Sequence, residues 1–341
     1  MKIYHLSHTD LDGYGAQYIT NFYFKDVKFL NSNYGREIDD KFAQILAEID
    51  ASNDDKNIIL ITDLNLSLAQ CESFEDMIRG KNIKLFLLDH HQSGAECASA
   101  YPWYFLDSSR CATKITYDFF AGIFGKNKEL EIFSDIVNAV DIWLKDDKNF
   151  EMGKVCLGLV ANAKEINKVM FESENNLYMD HILKEASKFF NEKNDYIGLD
   201  MQIHAIKKSF FKEDKDDTLS NLISSYVVKK LSENKEKFSI NYKDHKGILT
   251  YNIGNVSVIG NDFLVANPEF DFFIDVTNKK TLSFRANGKL DVSAMAKHLV
   301  GGGGHVNASG GLFANFKDGF SYEPIKAQII DLITKKTQED I

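Results

Sequence analysis

The run His8-Thr9-Asp10-Leu11-Asp12-Gly13, and far along the chain Asp89-His90-His91, carry the side-chain types that hold divalent cations. Asp63 closes the apolar run Ile58-Ile59-Leu60-Ile61-Thr62, and Asp141 stands in Val137-Asn138-Ala139-Val140-Asp141-Ile142-Trp143. Carboxylates are hard oxygen donors and imidazole a borderline nitrogen donor. The mixture suits a pair of Mn-like cations, which activate water and neutralise phosphoryl charge. Along an extended segment alternate residues share a face, so His8, Asp10 and Asp12 are expected to converge. A single Asp here would read as a cap on the next helix, with Gly13 supplying a turn. Three donors on one face, with further acids at neighbouring strand ends, favour a metal site. Asp63 is the candidate to bridge two cations. Neighbouring side chains diverge, so His90 and His91 are expected to differ, one on metal and the other beside substrate or behind the ligands. Asp141, among apolar helical neighbours, is costly unless paired or metal-bound. His5 alternates away from this face together with Ser7 and reads as structural.

Two further segments suggest anion binding. Ser108-Ser109-Arg110-Cys111-Ala112-Thr113-Lys114 reads as a strand-to-helix turn whose amides, with Arg110 or Lys114, could hold a phosphate or simply cap the helix. Gly301-Gly302-Gly303-Gly304-His305, followed by Asn307-Ala308-Ser309-Gly310-Gly311, costs backbone entropy and suggests a close approach to a ligand. Arg285, after Leu282-Ser283-Phe284, is a candidate bidentate phosphate partner.

Elements that would position these residues alternate in the first half. Strand patterns at 2–7, 27–30, 57–62 and 84–88 are interleaved with helical patterns at 15–24, 37–49 and 66–79. Alternation of this kind implies right-handed crossovers and a mainly parallel sheet, with ligands beyond the carboxyl ends of its strands. Those ends are where His8, Asp10, Asp12, Asp63 and Asp89 to His91 fall. The fold class is therefore α/β, a mainly parallel sheet flanked by helices, followed by a smaller mixed α/β domain. Helical patterns run from 111 to about 212. The polar stretch Phe211-Lys212-Glu213-Asp214-Lys215-Asp216-Asp217 reads as a linker. Beyond it come a helix at 219–231, strands at 238–240, 248–251, 272–276 and 281–285, and helices at 292–299 and 325–335.

At 341 residues the chain is long for one core and suits two domains. A net charge of −10 argues against coating of long duplex nucleic acid, which needs a broad basic surface. Cys71, Cys97, Cys111 and Cys156 form no close pair and no metal-like spacing. A reduced, cytoplasmic setting is expected, with no leader and no membrane-spanning run.

Taken in order, His-x-Asp-x-Asp-Gly at 8–13, Asp63, Asp89-His90-His91, Asp141, Arg285 and Gly-Gly-Gly-Gly-His at 301–305 resemble the DHH phosphoesterase family. The likeness is to the branch that joins a DHH domain to a DHH-associated domain, and it covers nearly the whole chain. It implies a catalytic domain over 1–190, a helical and polar linker over 191–217, and a substrate-binding domain over 218–341. It implies that His8, Asp10 and Asp63 hold one Mn²⁺, and that Asp12, Asp63, His90 and Asp141 hold another. Asp89 and His91 would be catalytic, His91 beside the scissile phosphate. Arg110, Arg285, Gly302, Gly303, Gly304 and His305 would bind substrate. Compact members resembling this chain are of the nanoRNase and nucleoside 3′,5′-bisphosphate phosphatase type. Short oligonucleotides are thus the expected substrate, with nucleoside bisphosphates second and cyclic or linear dinucleotides the alternative. The resemblance also implies pairing into a homodimer. A scaffold that merely binds nucleotides is the competing class, set against by the intact donor set. Pyrophosphatase chemistry is set against by the 301–305 run.

Overall fold

The computed structural model describes residues 1–52, 56–190 and 195–338, and the chain divides into two compact units. The first holds Met1–Ala163 and Asn176–Phe210; the second holds the segment Lys164–Asn175 and everything from Phe211 on. The domain boundary expected at 190 therefore differs from the contact boundary. Residues 164–175 pack with the second unit, and α9 (below), expected as linker, packs with the first. Positions 191–194 of that linker lie outside the described residues. Among the described residues no helix is long and apolar enough to cross a membrane.

In the first unit β1 (Lys2–Ser7), α1 (Leu11–Tyr23), β2 (Val27–Asn31), α2 (Arg36–Ala51), β3 (Asn57–Thr62), α3 (Leu68–Ile78), β4 (Ile83–Asp89), α4 (Ala95–Ala100) and β5 (Tyr104–Leu106) alternate. Helices α5 (Ala112–Phe124), α6 (Lys128–Asp141), α7 (Phe150–Ala161), α8 (Glu172–Ser187) and α9 (Tyr196–Phe211) follow. The five strands form one parallel sheet in the order β2-β1-β3-β4-β5. Ile59, Leu60 and Ile61 on β3 are buried, as a strand covered on both faces requires. Phe42 of α2 stacks on Phe74 of α3 at 3.7 Å beneath the sheet's core residues Tyr4, Leu6, Ile59, Ile61 and Leu87.

Register positions the site. Ser7 pairs with Thr62, and Thr62 with Leu88, so the three central strands end level. The next residues, His8, Asp63 and Asp89, consequently stand in one row at the carboxyl edge, beside the point where strand order reverses.

The second unit comprises α10 (Leu219–Glu233), α11 (Lys235–Phe238), β6 (Ser239–Tyr242), β7 (His245–Tyr251), α12 (Val256–Ala266), β8 (Phe272–Val276), β9 (Thr281–Ala286), α13 (Val292–Val300), β10 (Gly303–His305), β11 (Ala308–Leu312) and α14 (Tyr322–Gln338). Its mixed sheet runs β10-β11-β9-β8-β7-β6, with β7 and β8 parallel and the other pairs antiparallel. The glycine run, expected from sequence to approach a ligand closely, is in part a hairpin strand. Gly301 caps α13 in the left-handed region at φ 66°, and a side chain on Gly302 would meet the Gly310 carbonyl at 2.2 Å. Close approach to the chain's own backbone thus accounts for Gly302, while Gly303 faces open space.

Candidate metal centre

Asp10 ends the extended segment as N-cap of α1, its carboxylate accepting from the Gly13 amide at 3.0 Å. Because α1 starts at Leu11, Asp12 lies in its first turn rather than in an extended run. A helical turn, not the expected pleat, therefore brings Asp12 to the site. Both Asp12 oxygens accept amides from the start of α5, Ala112 and Thr113, each at 2.7 Å. Thr113 Oγ1 also donates to the Asp12 carbonyl at 2.7 Å, tying α1 to α5. Asp63 follows β3 with φ at 55°, an uncommon conformation for a residue with a side chain and a mark of local strain at a functional edge.

The donors converge. His90 Nε2 lies 3.3 Å from an Asp63 oxygen and 3.6 Å from oxygens of both Asp12 and Asp141. His8 Nδ1 stands 2.8 Å from Asp10 and 3.6 Å from Asp63. His90 Nε2 and Asp63 Oδ1 form a hydrogen bond, but the His8 approaches are poorly aligned, for His8 Nδ1 and Asp63 Oδ2 are buried without a hydrogen-bond partner. Orphaned, buried donor atoms aimed at a common point are what an ion site leaves behind. Electrostatics agree. Burial first, then the Asp12 carboxylate, pushes Asp141 up to about 8, against the opposing pull of His90. Burial and repulsion from Asp12 likewise raise Asp63. Burial opposes protonation of His8, yet the adjacent Asp10 and Asp63 carboxylates outweigh it and raise His8 to about 10. His8 in turn holds Asp10 down to about 2 despite burial. Carboxylates crowded this closely call for positive charge, and the set His8, Asp10, Asp12, Asp63, His90 and Asp141 fits divalent cations.

Asp89 is fully buried and points away from that set. Its Oδ1 lies 2.7 Å from His91 Nδ1, and its Oδ2 accepts from Tyr104 at 2.9 Å. Asp89 therefore orients His91 rather than facing a reacting group, and it raises the His91 pKa. His5 is fully buried with Nε2 2.8 Å from Thr62 Oγ1, and burial drives it down to about 3.

Three placements depart from expectation. Arg110 binds Asp107 at 2.7 Å and also Asp118, so its charge is matched within the unit. The α5 N-terminus offered to a phosphate holds the Asp12 carboxylate instead, and Lys114 pairs with Asp135 at 2.7 Å. A carboxylate on the chain outcompetes a phosphate there because it is already in place. Cys111, read as lacking metal-like spacing, is the N-cap of α5, and its sulfur lies within 4.8 Å of oxygens of Asp12 and Asp141. Tyr34 was missed altogether, though its ring packs 4.7 Å from that of His8. Its only signal in the sequence is position, in the turn after β2 at the carboxyl edge. In the second unit Arg285 donates to Ser257 Oγ at 2.7 Å and to the Phe284 carbonyl at 2.8 Å. The β10 residues Gly303, Gly304 and His305 are all exposed.

No protein-family model matches the sequence. The chain is 41% identical, over 97% of its length and 99% of the relative's, to a 3′,5′-cyclic-nucleotide phosphodiesterase of Helicobacter pylori. The chain belongs to that phosphodiesterase's family. A crystal structure of an uncharacterized protein from Helicobacter pylori G27 superposes on this phosphodiesterase-family chain with a TM-score of 0.92, at 40% identity over 98% of this chain and 99% of the other. The family member described here is a phosphoesterase with a two-unit α/β fold, its metal-type donors gathered at the carboxyl edge of a parallel sheet.

Proposed function

We propose that the protein is a divalent-cation-dependent phosphodiesterase of the DHH type that opens 3′,5′-cyclic nucleotides to nucleoside monophosphates. One observation carries the chemistry: a single imidazole nitrogen, His90 Nε2, stands within 3.6 Å of three carboxylates from three separate elements. His8, Asp10 and Asp63 would hold one cation, and Asp12, Asp63, His90 and Asp141 a second, Mn²⁺ being the best match to this donor set. Bound there, the cations would lower the pKa of an attacking water and offset charge on the phosphoryl oxygens. The chain's own residues orient the rest. Asp89 fixes the ring of His91 at the edge of the donor cluster, and the α5 amides fix Asp12. In the overall reaction water adds to phosphorus and one P–O ester bond breaks, the released ester oxygen taking a proton. No serine or cysteine nucleophile is needed.

The cyclic substrate is favoured by the relative at 41% identity. Short oligonucleotides, first on the motif alone, remain the second reading. The exposed edge strand β10, with Gly303 in open space, would present its outer backbone edge to a chain-end phosphate. The deciding assay incubates purified protein with 3′,5′-cyclic AMP, di- to pentanucleotides and a nucleoside 3′,5′-bisphosphate under Mn²⁺, Mg²⁺ and chelator, products being read by chromatography. Fastest turnover of cyclic AMP under Mn²⁺ is expected. Faster stepwise release of mononucleotides would move the assignment to short oligonucleotides, and nucleotide binding without turnover would make the chain a scaffold.

A further inference from the structure

Tyr34 sits in the turn between β2 and α2, with its side chain 44% exposed at the rim of the donor cluster. Its hydroxyl is 3.0 Å from His91 Nε2, and its ring packs against both His8 at 4.7 Å and His91 at 5.6 Å. The turn is held firmly. The Ser32 amide donates to the Ser7 carbonyl, Asn31 Nδ2 to the His8 carbonyl, and Thr9 Oγ1 to Asn33 Oδ1. Asn33 is fixed in turn by Glu37, through both its amide and its side chain. The segment bearing Tyr34 is thereby tied directly to the segment bearing His8.

The hydrogen bonds define what each atom can offer. Asp89 accepts only, so the His91 nitrogen facing it at 2.7 Å carries a proton. With the ring neutral Nε2 accepts from the Tyr34 hydroxyl, and with the ring protonated Nε2–H donates to it, so the 3.0 Å contact holds in either state. A phosphodiester's non-bridging oxygens are acceptors without protons of their own. A phenol at the rim, half open to solvent, is a donor such an oxygen can reach.

We propose that Tyr34 is a substrate-contacting residue that works as a unit with His91: its hydroxyl holds Nε2 in the free protein and turns to a phosphoryl oxygen when substrate binds. The exchange breaks no covalent bond. Its ring meanwhile covers His8. The inference rests on the phosphodiesterase reading above and adds to it a group outside the donor motifs.

The test is a double-mutant cycle on Mn²⁺-loaded protein with 3′,5′-cyclic AMP and bis(p-nitrophenyl) phosphate, comparing Tyr34→Phe, His91→Gln and the pair. Tyr34→Phe removes one oxygen and keeps the ring. It should lower kcat/KM about ten- to hundredfold, the loss expected for a hydrogen bond to a charged group, with Mn²⁺ affinity unchanged. In the His91→Gln background the same change should cost less than about threefold, since coupled residues do not add. A second readout is the ¹⁵N resonance of His91 Nε2, which Tyr34→Phe should shift in the free protein. Tyr34→Phe within twofold of wild type, an equal loss in both backgrounds, or an unmoved Nε2 resonance would each overturn the proposal. If the wild type hydrolysed neither phosphodiester, the phosphodiesterase reading would fail by itself, and the resonance would still decide the Tyr34–His91 pairing.

Discussion

Asp63→Asn is the substitution that most directly tests the metal centre. Asparagine tolerates the left-handed backbone at φ 55°, so the change removes charge without disturbing the chain. Asp10, Asp12, Asp63 and Asp141 together bring four negative charges, matching two divalent cations. With Asn at 63, one positive charge would be left unmatched in a site where this residue is 2% exposed. Breaking a buried charge match costs about 3–5 kcal/mol, roughly two to four orders of magnitude in binding. Mn²⁺ titration by calorimetry should show the loss, with hydrolysis falling alongside. In metal-free protein the sign reverses. Burial and repulsion from Asp12 raise the Asp63 pKa in the folded state, so ionisation at neutral pH costs stability. Asn should therefore raise the unfolding temperature of the metal-free protein while abolishing the extra stabilisation by Mn²⁺ seen in wild type. Two Mn²⁺ bound with unchanged affinity, or a destabilised metal-free variant, would refute the reasoning.

Asp89→Asn keeps the shape but can present its amide to His91 Nδ1, so kcat should fall about 10- to 100-fold with Mn²⁺ affinity little changed, a split read by parallel kinetics and titration. Arg285→Ala and His305→Ala should raise KM for substrates bearing a terminal phosphate by about ten- to hundredfold while leaving bis(p-nitrophenyl) phosphate nearly untouched; unchanged KM in both would remove these residues from substrate binding. Asp275 of β8 is fully buried, with one oxygen unpartnered, and burial lifts it to about 7, against hydrogen bonds from Ile253 and Thr250. Its raised pKa means the folded state binds the extra proton, so wild-type stability should decline between about pH 4 and 7, by roughly 4 kcal/mol from this group. Asp275→Asn should flatten that decline in urea denaturation, and parallel curves for the two proteins would show that Asp275 does not ionise in the fold.

Much of the first unit was legible because β1 and β3 are short and buried on both faces, and β1 to β4 each end on a polar residue. The pattern fixed β1 and β3 to the residue, and level strand ends then carried His8, Asp63 and Asp89 into one row. In the second unit α12 escaped because its opening Val-Ser-Val-Ile carries strand-like β-branching. The β10–β11 hairpin escaped because glycine has no side chain from which to read alternation.

What the sequence concealed at the site was the destination of each hydrogen bond. Arg110 looked free for a phosphate, and only folding brings Asp118 around to it. Cys111 lacked any metal-like spacing, and Tyr34 any motif; both acquire their neighbours through packing of elements distant in the chain. Asp12 shows why this accounting matters. Its two oxygens accept the amides that open α5, where the helix dipole favours negative charge, and one of them lies 3.6 Å from His90. Those amides fix the Asp12 carboxylate beside the donor cluster. Removing its carboxylate would uncap a helix as well as empty a ligand position, so loss of activity in such a variant would not by itself identify a metal ligand. Asp63, which makes no comparable set of backbone contacts and carries an unpartnered oxygen, gives the cleaner discrimination.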